Sequence, residues 1–142
     1  MSTEQNKIAA HHFLEQGFNQ KNPLALEAFF SPSLIDHALP PMLPPGFEGR
    51  KMFYGAFISA FPDVYIQVQD QVAEGNKVVT YWVATGTHKG ELMGIPATGK
   101  SVTVSGIAID SFEDGKSTEH WEIFDQMGLM QQLGVAPLPA SA

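Results

Sequence analysis

Asp125 and His37 are the side chains whose type and setting suit proton transfer. Asp125 ends the stretch FEDGKSTEHWEIFD, which starts at Phe112. Within it Asp114-Gly115 is a strong hairpin signal, because a type I′ turn needs two residues that tolerate φ > 0. Such a turn pairs Glu113 with Lys116 and Phe112 with Ser117. Strict alternation then sets Ala108 opposite Trp121, Gly106 opposite Ile123 and Val104 opposite Asp125. One face of the sheet carries Asp110, Ala108, Gly106 and Val104, with Glu119, Trp121, Ile123 and Asp125 beside them. The small residues leave space, Trp121 makes an aromatic wall, and a carboxylate closes the row. That pattern fits a pocket. It fits equally a bulge or bend at Gly106 and a cap at Asp125.

Apolar surroundings disfavour a charged carboxylate, which suits a carboxyl base working near neutral pH. His37 precedes the proline-rich run ALPPMLPPG, residues 38–46, read as a rigid pocket rim. From there it could donate a hydrogen bond to a substrate carbonyl and stabilise an enolate. A histidine at such a corner also serves simply as a backbone partner. Asp110 and Glu119 lie opposite each other near the hairpin tip, where both are either simply solvated or, if buried together, would share a proton. Phe18 and Phe57, from apolar helix faces, join Trp121, Ile123, Asp110 and Glu119 as candidate substrate-binding residues.

Other chemistries lack their residues. The five histidines do not form a metal set: His11 and His12 are adjacent on a helix and point about 100° apart. By the same alternation His120 falls on the face opposite Asp125. There is no HExxH, Walker A, GxGxxG or GxSxG motif. There is no cysteine, hence no disulfide framework or thiol nucleophile. The net charge of −7 with no basic run argues against nucleic acid as a partner. The polar start MSTEQNK and the absence of a long apolar run argue against a signal peptide or membrane span. A soluble cytoplasmic protein is the expectation.

The elements that must position these groups read as helices first, then strands. Residues 4–20 form a helix with Ala10, Phe13, Leu14, Gly17 and Phe18 on one face. Asn22-Pro23 opens a short helix through Phe30, and Leu34 to His37 is a short extended piece. From about Gly49 a third helix buries Met52, Phe53, Ala56, Phe57 and Ala60. Strands are expected at Val64–Ala73, Lys77–His88, Ser101–Phe112 and Lys116–Asp125. A short helix over 126–134 and a frayed Pro/Ala/Ser-rich end follow. At 142 residues this is a single domain, residues 1–142. The fold class is α+β: a cone-shaped, curved antiparallel sheet wrapped around N-terminal helices, with an internal cavity.

The residues resemble the SnoaL-like polyketide cyclases, in the superfamily of nuclear transport factor two, ketosteroid isomerase and scytalone dehydratase. The resemblance is carried by Phe18-Asn19, Leu34-Ile35-Asp36-His37, Gly46-Phe47-Glu48-Gly49, Phe61-Pro62-Asp63 and Ala73-Glu74-Gly75-Asn76. It continues through THKGE at 87–91, Asp114-Gly115-Lys116, Glu119-His120-Trp121, Asp125 and Gln132-Leu133-Gly134. It implies ring closure by intramolecular aldol condensation, without metal or cofactor. It implies Asp125 as the acid/base and His37 as a pocket histidine. This chain departs from the pattern at Ile109, Asp110 and Ser111, where those cyclases carry a second pocket histidine.

The expected partner is a small apolar or aromatic carbonyl compound, cyclised or isomerised. The alternatives are a non-catalytic binder of the same fold, or a dehydratase or hydrolase using the same aspartate. An Asp-Arg-Asp set is not expected, because Arg50 is the lone arginine and lies on the third helix. A homodimer is expected through the outer sheet face, assigned Ile107, Ile109 and Phe124 with His120 and Glu122.

Overall fold

The structure, a computed structural model, describes residues 2–135. Helix α1 spans Thr3–Leu14. A capping box starts it: Ser2 Oγ accepts from the Gln5 N–H, and the Gln5 side chain accepts from the Ser2 N–H. The chain continues as a π-helical turn, Glu15–Asn19. The wider turn aims Asn19 at the sheet edge. Its amide donates to Ile66 O at 2.9 Å and accepts from Ile66 N at 2.7 Å, as a neighbouring strand would. Helix α2 (Leu24–Phe29) and helix α3 (Gly46–Ala60) complete the helical layer, with strand β1 (Phe30–Asp36) between them.

The remaining strands are β2 (Tyr65–Glu74), β3 (Lys77–Thr87), β4 (Ser101–Glu113) and β5 (Lys116–Phe124). Helix α4 (Gln126–Leu133) follows directly. The five-stranded sheet runs β1-β5-β4-β3-β2. All pairs are antiparallel except β1–β5, so the expected antiparallel sheet gains a parallel edge. The architecture is α+β with the helices against one sheet face. Phe13, Leu26, Phe29, Phe30 and Phe112 form one apolar cluster; Phe61, Leu92, Val102, Leu129 and Leu133 form another. Each such side chain contributes roughly 1.5–3 kcal/mol on burial. No helix among the described residues is long and apolar enough to cross a membrane. The expected frayed tail from residue 136 lies outside the described residues.

The β4–β5 hairpin turns where expected. Asp114 (φ 51°) and Gly115 (φ 81°) both have positive φ, as a type I′ turn requires. Glu113 pairs with Lys116 and Phe112 with Ser117. The alternation then breaks. Ser111 pairs with Glu119, leaving Thr118 as an extra residue in β5. This bulge shifts every later pair: Asp110 meets His120, Ala108 meets Glu122 and Gly106 meets Phe124. A slip of one residue exchanges the two faces of a strand. Asn76 helps hold the irregular spot: the Phe112 N–H donates to Asn76 O at 2.8 Å.

Candidate active site

The bulge decides which side chains reach the interior. His120, Glu122 and Phe124 point inward, beside Asp110 and Ala108. They line a cavity between the helices and the sheet. Its walls are largely apolar and include Phe13, Phe18, Phe53, Phe57 and Trp82. The charged lining residues are Arg50, Asp110, His120 and Glu122.

These four are linked into one chain of contacts. Ser117 Oγ donates to Asp110 Oδ1 at 2.6 Å, and His120 Nδ1 lies 2.8 Å from the same oxygen. His120 Nε2 is 3.4 Å from Glu122 Oε1. The Trp82 indole N–H donates to Glu122 Oε2 at 2.9 Å. Arg50 Nη1 is 3.8 Å from Glu122 Oε1. At its other side Arg50 grips Asp36 with two bonds, Nε to Oδ2 at 2.7 Å and Nη2 to Oδ1 at 3.1 Å. Such a fork-to-carboxylate pair is strong and geometrically specific.

Charge states follow from the partners. Both ring nitrogens of His120 face carboxylates, so both must donate and the ring is an imidazolium. Burial opposes that charge, but the Asp110 carboxylate and then Glu122 overcome it and raise the His120 pKa to about 10. Burial pushes Glu122 up, yet His120, Arg50 and the Trp82 N–H together hold it below its ordinary value. Asp36 is likewise lowered, burial being outweighed by Arg50 with help from His120 and the Ala38 N–H. Burial disfavours the Arg50 charge as well, but Asp36 and Glu122 stabilise it and its pKa rises. Glu122 is the most open member: 19 % of its side chain is accessible, against 6 % for His120 and 5 % for Asp110.

Trp82 reaches Glu122 because Gly106, its cross-strand partner, has no side chain. A Cβ at Gly106 would lie 2.3 Å from Trp82 Cζ2. The space expected beside Gly106 therefore exists, but the indole of β3 fills it.

The sequence-derived site is divided by the sheet. Phe18, Phe57 and Asp110 line the cavity. Trp121, Ile123 and Glu119 do not, because the bulge turns them outward. Asp125 is the N-cap of α4; its Oδ1 accepts from the Gly128 N–H at 2.9 Å, and the side chain is exposed. The cap alternative is thus the one realised, and the paired faces expected from strict alternation are corrected. His37 also lies outside the cavity. Its ring stacks on Trp121 with centroids 5.0 Å apart, its Nε2 is 2.6 Å from Glu119, and its N–H donates to His120 O. Asp110 lines the cavity and Glu119 does not, so the two carboxyls are not buried together and the proton-sharing alternative falls away. The loop 38–46 contributes nothing to the cavity lining. His120, Glu122 and Phe124, assigned to the outer face, are interior. Arg50, the lone arginine, has carboxylates on both sides, Asp36 and Glu122.

The comparisons agree with this architecture. Residues 8–133 match the SnoaL-like polyketide cyclases, so the chain belongs to that family. TsrD from Streptomyces laurentii is similar at 29 % identity with a TM-score of 0.86, over 96 % of this chain and 99 % of that one. IdmH from Streptomyces antibioticus, described as a proposed polyketide cyclase, is 32 % identical with a TM-score of 0.77, covering 92 % and 99 %. AclR from Streptomyces galilaeus, described as a proposed hydroxylase, is 25 % identical with a TM-score of 0.86, covering 98 % and 91 %. No curated protein matches the chain.

Proposed function

We propose that this protein catalyses cofactor-free acid–base chemistry on a small carbonyl compound, as aldol-type ring closure or isomerisation. One observation carries the reading: the charged groups of a largely apolar cavity form a single connected set with a partly accessible carboxylate, Glu122, at its centre. Glu122, ionised at neutral pH, removes a proton from the carbon next to the carbonyl. The His120 Nε2–H, only loosely engaged by Glu122 at 3.4 Å, hydrogen-bonds the enolate oxygen that forms. In ring closure the enolate carbon attacks a second carbonyl carbon, and the proton held by Glu122 passes to the new alkoxide. In isomerisation that proton returns to a different carbon. Membership of the cyclase family supports the same class of reaction.

The test does not require the natural substrate. In D2O the protein should exchange the α-protons of a simple ketone such as acetophenone, followed by proton NMR. Glu122→Gln keeps the shape and removes the base, so exchange should fall by about 10²–10⁴-fold. Binding without exchange would identify a non-catalytic binder. Exchange that survives Glu122→Gln would place the base elsewhere.

A further inference from the structure

The cavity holds about 120 Å³ of free space. An engineered apolar protein cavity of roughly 150 Å³ takes one benzene molecule. The buried part of a ligand here is therefore limited to about one ring with small substituents. Aromatic side chains surround that space, so a flat ring can stack or pack edge-on against them.

The charged end sets a second limit. Asp36, Asp110 and Glu122 supply three negative charges; Arg50 and His120 supply two positive ones. Arg50 spends Nε and Nη2 on Asp36 and turns Nη1 to Glu122. His120 has a carboxylate at each nitrogen. Among the described residues, no cation lining this cavity is left unmatched. A ligand carboxylate entering here would be a second anion beside Glu122, stripped of water and without a counter-charge, which is strongly unfavourable. A carbonyl oxygen carries no net charge and asks for one donor, and the His120 Nε2–H, 3.4 Å from Glu122, is held weakly enough to be shared with it.

We propose that the site takes neutral carbonyl compounds (ketones, aldehydes or esters) whose buried part is a single substituted ring, and rejects carboxylates and fused polycycles. The inference rests on the Glu122–His120 site described under the proposed function and names its substrate class.

Trp82 reports on the cavity, because its indole N–H is bonded to Glu122. The chain has two tryptophans, and Trp121→Phe, a change on the outer face, leaves Trp82 as the single indole signal in a 15N–1H spectrum. Three probes are titrated into this variant: acetophenone, benzoate and 2-acetylanthracene. Acetophenone should shift the signal saturably at roughly millimolar concentration, as few atoms allow. Benzoate and 2-acetylanthracene should bind at least about tenfold more weakly. Adding Glu122→Gln should narrow the gap between benzoate and acetophenone, because one negative charge is gone. Benzoate or 2-acetylanthracene binding as tightly as acetophenone overturns the proposal, and so does failure of acetophenone to saturate. If these preferences hold but α-proton exchange does not depend on Glu122, the acid–base reading fails and the ligand class stands.

Discussion

Asp110→Asn tests whether a carboxylate holds His120 in its charged form. Asparagine keeps the size and an acceptor oxygen, so the substitution removes mainly charge. In the fold His120 is raised from 6.5 to about 10, a preference for imidazolium on the order of 5 kcal/mol. Asp110, at 2.8 Å, is the largest favourable contributor. Loss of one close opposite charge lowers such a pKa by about 1–3 pH units, or about 1.4–4 kcal/mol. Between pH 6.5 and about 10 the folded ring keeps a proton that the unfolded chain has lost. Its contribution to stability is therefore whole below 6.5, falls by ~1.4 kcal/mol per pH unit, and is spent once pH passes about 10. Urea unfolding of both proteins across pH 6–10 reads the difference, in which the shared lysines and tyrosines cancel. That difference should be flat up to the variant's own His120 titration, then fall by about 1.4–4 kcal/mol as pH approaches 10, leaving the pH-independent effect of the substitution. A difference that stays constant across the range would refute the ion-pair account. NMR titration of the His120 ring gives the same answer directly.

Four further outcomes follow from the geometry. Glu122→Gln should lower α-proton exchange by about 10²–10⁴-fold, while Asp125→Ala should leave exchange intact and cost only the ~0.5–2 kcal/mol of a lost N-cap, seen in thermal unfolding. Gly106→Ala should force the Trp82 ring aside, since the new Cβ would lie 2.3 Å from Cζ2. The expected cost is about 1–3 kcal/mol, and in the Trp82→Phe background it should be clearly smaller; an equal cost in both backgrounds would mean the clash is not with the indole. A homodimer is expected through the outer sheet face, where Tyr81, Ile107 and Ile123 form one cross-strand row with 42 %, 49 % and 82 % exposure. Sedimentation should show a dimer at micromolar concentration that Ile107→Glu weakens; a monomeric wild-type protein would contradict this.

Much of the fold is legible in local sequence, because caps, turns and periodicity act over a few residues. The hairpin turn and the long β3 and β4 strands lie where pattern and turn chemistry put them, whereas α3 starts at Gly46, ahead of the expected Gly49, and leaves Met52 and Ala56 of its expected apolar face exposed. The site was displaced by one residue for one reason. Nothing at Thr118, neither glycine nor proline, marks the bulge, and alternation carried past it assigns Trp121 and Asp125 to the wrong face. The occupant of the space over Gly106 was equally hidden: Trp82 reaches it across a β3–β4 connection of residues 88–100, with no tight turn to set the pairing. Arg50 did carry a usable signal. Arg50, Phe53, Tyr54 and Phe57 fall at i, i+3, i+4 and i+7, so the lone arginine shares a helical stripe with aromatic residues. An arginine on a buried stripe cannot shed its proton and must find carboxylates inside the fold. That requirement, applied to an acidic chain, points to an interior cluster of acids. Asp36 on β1 meets that need with two bonds and Glu122 on β5 adds a longer contact, whereas Asp125, exposed at the start of α4, is not part of the cluster.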